Sequence, residues 1–81
     1  MDLKELAEQH DVKLFDKLED AEAEGYTLTE TMRPRNVWNR QSAYTATLYK
    51  LAGMKRRGEA TQIGIILDPW SVTGCYKKEE A

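Results

Sequence analysis

The run RPRNVWNR surrounds one tryptophan with three arginines. Guanidinium groups bind phosphates and carboxylates through paired hydrogen bonds, and an aromatic ring can stack on a base or fill a pocket of a protein partner. Trp and Arg are also the residue types most enriched where binding energy concentrates. The run therefore predicts a binding surface centred on Trp38. A second basic run follows further along the chain. The candidate residues are Arg33, Arg35, Trp38 and Arg40 in the first run and Lys55, Arg56 and Arg57 in the second.

The acidic residues are concentrated in the first part of the chain. Residues 1–30 carry ten carboxylates and three lysines, a net charge of −7. No acid lies between Glu30 and Glu59, and that interval has a net charge of +7, which leaves −2 for the remainder. The formal net charge of −2 thus hides two oppositely charged segments. In the acidic segment, the candidate residues for contact with a basic partner are Asp16, Glu19 and Asp20.

Few groups in the chain could support catalysis or metal binding. His10 and Cys75 are the only residues of their types, and an activated Cys–His pair would need a third group to orient the histidine. The chain contains no CxxC and no HxxxH, and the glycines near the second basic run lack the context of a phosphate-binding loop. We therefore expect no enzymatic activity, no cofactor and no metal site, and we interpret His10 as a residue at the edge of the core.

Length and composition predict one soluble domain. The 81 residues are 41% hydrophobic and 32% charged, which is too apolar for a disordered chain, and no run of about 20 apolar residues predicts a membrane span. A chain of this size buries only about 60% of its unfolded surface, so we expect a partner or a homodimer to add to its stability. The single cysteine and the acidic start favour a cytoplasmic protein.

The acidic segment has the periodicity of an amphipathic helix. Its apolar stripe, at helical spacing, consists of Leu3, Leu6, Ala7, Leu14, Leu18 and Ala21. Val12 and Phe15 fall off that stripe, so we expect a break or bend near His10 and Asp11, with Asp11 capping a second helix. The alternative is a continuous helix in which Phe15 is exposed.

Alternating apolar residues predict strands in the rest of the chain. YTLTETM alternates apolar residues with threonines, and TQIGIIL and WSVTGCY read as a hairpin around Asp68 and Pro69. SAYTATLYKLAG fits two structures. Its β-branched and aromatic content favours a strand, whereas a helix would place Tyr44, Leu48 and Leu51 on one stripe. We prefer the strand and keep the helix as the alternative.

These elements predict an α+β fold, in which an N-terminal amphipathic helix packs on a three- to four-stranded antiparallel sheet. The single domain would comprise an acidic helical segment at residues 1–24, a β-rich basic segment at 26–77 and a frayed tail at 78–81. The two basic runs would then lie at opposite ends of the second strand, roughly 23 Å apart, or about 15 Å apart if that element is a helix.

Two functions of different class fit this pattern. The preferred hypothesis is a small non-enzymatic protein that binds a larger protein stoichiometrically, with its acidic helix against a basic, nucleic-acid-binding surface. The expected role is a virus- or mobile-element-encoded inhibitor of a host nucleic-acid-handling or defence system. The alternative is direct binding of RNA or single-stranded nucleic acid through residues 33–57, against which the sequence pI of about 5.4 counts. Self-association of acidic helix with basic loops is a third hypothesis.

Overall fold

The fold is described here from a computed structural model, which covers residues 3–33, 40–68 and 71–78. Helices and strands alternate along the first half of the chain, and a hairpin closes it. In chain order the elements are α1 (Leu3–Gln9), β1 (Val12–Phe15), α2 (Leu18–Ala23), β2 (Thr27–Met32), α3 (Arg40–Arg56), β3 (Gln62–Asp68) and β4 (Ser71–Lys77). The predicted α+β class is confirmed. None of the helices in these ranges is long and apolar enough to cross a membrane.

The four strands form a mixed sheet in the order β1-β3-β4-β2. β3 and β4 form an antiparallel hairpin, and β2 pairs antiparallel with β4 at one edge. At the other edge β1 pairs with β3 in parallel, with Val12 opposite Ile63 and Phe15 opposite Ile66. The prediction of a purely antiparallel sheet was therefore wrong. A parallel pair needs a long connection, and the three elements between β1 and β3 provide it.

The acidic segment contains two short helices with a strand between them, so the prediction of a second helix beginning at Asp11 was wrong, and so was the continuous-helix alternative. α1 ends at Gln9, and the chain turns through Asp11, whose φ of 56° lies in the left-handed region. The break thus falls where Val12 and Phe15 leave the helical stripe, but a strand follows it instead of a capped second helix. Three positions apart in a strand, these two residues point to opposite faces of the sheet, and each is buried in a different core cluster.

Residues 43–52 lie within the helix α3, so the preferred strand was wrong and the helical alternative is what forms. Tyr44, Leu48 and Leu51 are completely buried, at the i, i+4 and i+7 spacing of a helix that packs one stripe on a sheet. Packing overrides the β propensity of this run. α3, and not a long N-terminal helix, covers the sheet; α1 contacts α3 and the edge strand β1. The segment at residues 26–77 is consequently helical in its middle.

The strands predicted from alternation are confirmed. β2 spans Thr27–Met32, and β3 and β4 pair without interruption from Gln62 opposite Lys77 to Asp68 opposite Ser71. Gly25 precedes β2 with a φ of 87°, the left-handed conformation that ends a helix and that glycine adopts readily.

The two faces of the sheet carry different helices. α3 lies against Ile65 and Val72 on one face, and it approaches closely because β4 has a glycine there. A Cβ atom on Gly74 would lie 2.9 Å from the Cγ2 of Thr47 and 2.7 Å from the Oγ1 of Thr29. The other face carries α2 over a smaller cluster: Phe15, Ala21, Tyr26, Ile66 and Cys75.

Candidate binding surfaces

The two residues with catalytic potential lie in separate environments. Cys75 is fully buried in the cluster under α2, and burial raises the pKa of its thiol to about 11, so it is protonated at neutral pH. His10 follows α1 and contacts the ring of Tyr49 on α3. Among the described residues, no group of three or more His, Cys, Asp or Glu could hold a metal ion.

Exposed carboxylates and an exposed leucine lie on and beside α2. α2 is held against the sheet by Ala21, which is completely buried, while the rest of its short length faces outward. We call this the acidic surface and define it by the exposed residues Asp16, Leu18, Glu19, Asp20 and Glu22. It contains the three acids predicted as contact residues. Leu18 was expected in the apolar stripe but is 42% exposed.

The carboxylates of the acidic surface take no part in the ion pairs found among the described residues. Those four pairs are Lys13 with Glu24, Lys50 with Glu30, Lys55 with Asp11 and Arg57 with Glu59. Only Glu24 lies next to α2, and its hydrogen bond to the ammonium of Lys13 raises the pKa of that lysine. In this part of the chain, none of these pairs joins an arginine to the acidic surface.

The predicted basic residues divide between the two ends of α3. Arg33 and Arg40 lie at the end where the β3–β4 hairpin turns, and Lys55, Arg56 and Arg57 lie at the other end. The 17 residues of α3 separate the first and last of its arginines by about 24 Å along the axis. Arg35 and Trp38 lie outside the described residues. The binding surface centred on Trp38 therefore stays a prediction.

Arg40 connects the start of α3 to the sheet. Its Nη2 donates a hydrogen bond to the carbonyl oxygen of Asp68, 2.7 Å away, at the end of β3. Its Nε is buried without a hydrogen-bond partner. This placement fixes the helix against the hairpin and leaves less of the guanidinium for a ligand than a fully exposed arginine would offer.

The other end of α3 carries a basic and aromatic depression that includes the predicted Lys55 and Arg56, together with an exposed tyrosine not among the candidate residues. It has a volume of about 360 Å³ and is lined by His10, Tyr49, Ala52, Lys55 and Arg56. The helical alternative contained the signal, because Tyr49 falls off the Tyr44, Leu48 and Leu51 stripe and so must face outward. Tyr49 is 61% exposed, whereas Tyr44 is buried and donates a hydrogen bond to the carbonyl oxygen of Leu3.

Comparisons with protein-family models, with curated proteins and with solved structures found no match to this chain.

Proposed function

We propose that this chain is a small non-enzymatic binding protein that acts stoichiometrically on a larger protein partner through its acidic surface. The observation that carries the proposal is the set of exposed carboxylates on and beside α2, which have no cation in the described ion pairs and which flank the exposed Leu18 in the sequence. A partner with a basic surface would supply the missing cations. A recess for the leucine on the same partner would supply apolar burial.

The chemistry of the acidic surface indicates which kind of partner would fit. Closely placed carboxylates occupy, toward a basic protein, the position that the phosphates of a nucleic acid would take. Charge complementarity of this kind raises the association rate and excludes partners of like charge. We therefore propose a partner whose basic surface binds nucleic acid, with this protein as its inhibitor. We further propose that the protein is encoded by a virus or mobile element and acts on a host defence system in the cytoplasm.

The expected division of roles within the surface follows from general properties of interfaces. An apolar residue near the centre of an interface is desolvated and carries much of the affinity, while charges at its rim mainly affect the association rate. We assign the centre to Leu18 and the rim to Asp16, Glu19, Asp20 and Glu22. Their distance from the core means that changes at these positions should leave the fold intact.

Affinity capture with matched charge reversals tests the proposal. The protein is immobilised, incubated with extract of the cells in which it acts, and the retained proteins are quantified at low and moderate salt. Glu19→Lys should deplete at least one partner by tenfold or more, and Glu8→Lys should retain it. Both changes reverse one exposed glutamate on a helix. Glu19 lies in the first turn of α2 and Glu8 in the last turn of α1, so their effects on helix stability differ, and the circular dichroism of both variants must match that of the unaltered protein.

Two results would remove the acidic surface from the account. One is equal recovery of every partner by Glu19→Lys and Glu8→Lys. The other is light scattering showing a dimer that Glu19→Lys converts to a monomer, since the acidic surface would then be occupied by a second copy of the chain. A monomer that binds a basic protein supports the proposal.

A further inference from the structure

The depression at the end of α3 combines three features in one place, and the proposed action on a protein partner uses none of them. Tyr49 is the most exposed large apolar side chain of the described residues, and its ring stands almost perpendicular to that of His10, with centroids 6.1 Å apart. Ala52 lies one helical turn further along α3. The small side chain leaves the space beside the tyrosine ring open.

Two cations border the same depression. Arg56 lies two turns after Tyr49 on α3 and takes part in none of the ion pairs of the described residues. Lys55 is 3.4 Å from the Oδ2 of Asp11, but the Asp11 side chain is 93% exposed. An exposed pair of this kind contributes little energy, so the ammonium can exchange its carboxylate for another anion at small cost.

An exposed aromatic ring beside cations that can reach an anion is the arrangement that binds nucleotides without reading their sequence. The ring stacks on the face of a base, and the cations hold the phosphate that follows it. The contact to His10 restricts the ring, so less of its freedom is lost when a base stacks on it. A purely anionic ligand would use the cations but would leave the tyrosine without a role.

We propose that this depression binds a nucleotide unit, with the base stacked on Tyr49 and the phosphate held by Arg56 and Lys55. The unit could belong to a single strand or to a free nucleotide, because the contacting chemistry is the same. This proposal is independent of the acidic surface, which lies on the helix covering the opposite face of the sheet.

Fluorescence anisotropy with a labelled single-stranded oligothymidylate of about ten nucleotides tests the proposal at low salt. Thymidine monophosphate, inorganic phosphate and polyglutamate serve as competitors. Competition by the mononucleotide would identify a free nucleotide as a sufficient ligand, and competition by the strand alone would identify single-stranded nucleic acid. Either outcome supports the base-and-phosphate site.

Four variants assign the binding to the depression. Tyr49→Ala should weaken it about five- to 150-fold, the range expected for one stacked base, and Tyr49→Phe should retain it. Arg56→Ala should weaken binding and reduce its salt dependence. Lys50→Ala is the matched control, because Lys50 lies beside Tyr49 in the sequence but does not line the depression. The control should bind as the unaltered protein does.

Three results would overturn the proposal. The first is no binding of the oligonucleotide at low salt. The second is unchanged binding by Tyr49→Ala in a sample whose circular dichroism and thermal transition match those of the unaltered protein. The third is competition by polyglutamate or inorganic phosphate as effective as that of the strand, which would show that charge alone, from a nucleic acid or from an acidic protein, determines binding.

Discussion

α3 and α2 cover opposite faces of the same sheet with very different contacts. α3 places three large side chains, Tyr44, Leu48 and Leu51, where no solvent reaches them. α2 has six residues, and only Ala21 among them is buried. The long helix therefore buries much more side-chain surface than the short one. The short helix contributes little to the core, so its outer residues are free to differ in charge without loss of structure.

This contrast explains where so small a protein can carry residues that bind a partner. A chain of this size has a narrow stability margin. A helix whose packing forms the core therefore cannot also carry exposed apolar groups or unpaired charges without a loss of stability. The acidic surface lies on the helix that the core depends on least. The nucleotide-binding depression lies at the outer end of α3, away from its buried stripe.

The largest expected effect is on the α3 face. Leu48→Ala should lower the free energy of unfolding by about 2–5 kcal/mol, because it removes a fully buried side chain and leaves a cavity that α3 cannot close. Urea titration followed by circular dichroism measures the change. A loss below about 1 kcal/mol would show that α3 is not the principal source of stability.

A smaller loss is expected where α3 approaches β4. Gly74→Ala places a Cβ 2.7 Å from the Oγ1 of Thr29 on β2 and 2.9 Å from the Cγ2 of Thr47 on α3, so both neighbours must shift. We expect a loss of about 1–3 kcal/mol. The matched control is Gly53→Ala within α3, where the nearest atom is the flexible Nη1 of Arg57 at 3.1 Å. Alanine favours helix there, so the control should be neutral or more stable. Equal losses would mean that close packing at Gly74 is unimportant.

The cluster under α2 should respond to alkaline pH. Burial raises the pKa of Cys75 from 9.0 to about 11, so the folded state holds the proton that the unfolded chain releases. Its contribution to stability is complete below about pH 9 and is lost as the pH rises toward 11. Burial also raises the pKa of Tyr26 and of Tyr44, which adds to the loss above about pH 10.

Urea titrations under reducing conditions at neutral pH and at about pH 10, between the unfolded and folded pKa of the thiol, measure this effect. Cys75→Ala should be less stable at neutral pH but should lose less stability across that interval, because it has no thiol to titrate. The same pH dependence in both proteins would indicate that Cys75 is more accessible than its burial implies.

The sequence predicted the hairpin and β2 because their patterns are local. Alternating apolar residues on both sides of Asp68 and Pro69 specify two paired strands without reference to the rest of the chain. β1 could not be predicted this way, because its four residues are too few to establish a period and their partner in β3 lies about 50 residues further along. α3 was mistaken for a strand because burial of Tyr44, Leu48 and Leu51 against the sheet outweighs local propensity.

The residues of the candidate surfaces also divide into those that a local sequence pattern predicts and those that only the fold reveals. The exposure of Asp16, Glu19 and Asp20 followed from a count of charges, because an excess of one sign must lie at the surface. Placing Tyr49 in the solvent required knowledge that the element is a helix. The role of Arg40 depends on a contact with Asp68 across 28 positions of the chain, which no local pattern encodes.

The most direct test of the division between the two faces is Leu18→Ala, measured for both stability and partner recovery. Leu18 is 42% exposed, so the free energy of unfolding should change by less than about 1 kcal/mol. Partner recovery should fall about tenfold or more, as for an anchor at the centre of an interface. Met32→Ala, also at an exposed apolar residue, should retain the partner. A stability loss as large as that of Leu48→Ala, or full recovery of the partner, would contradict the account.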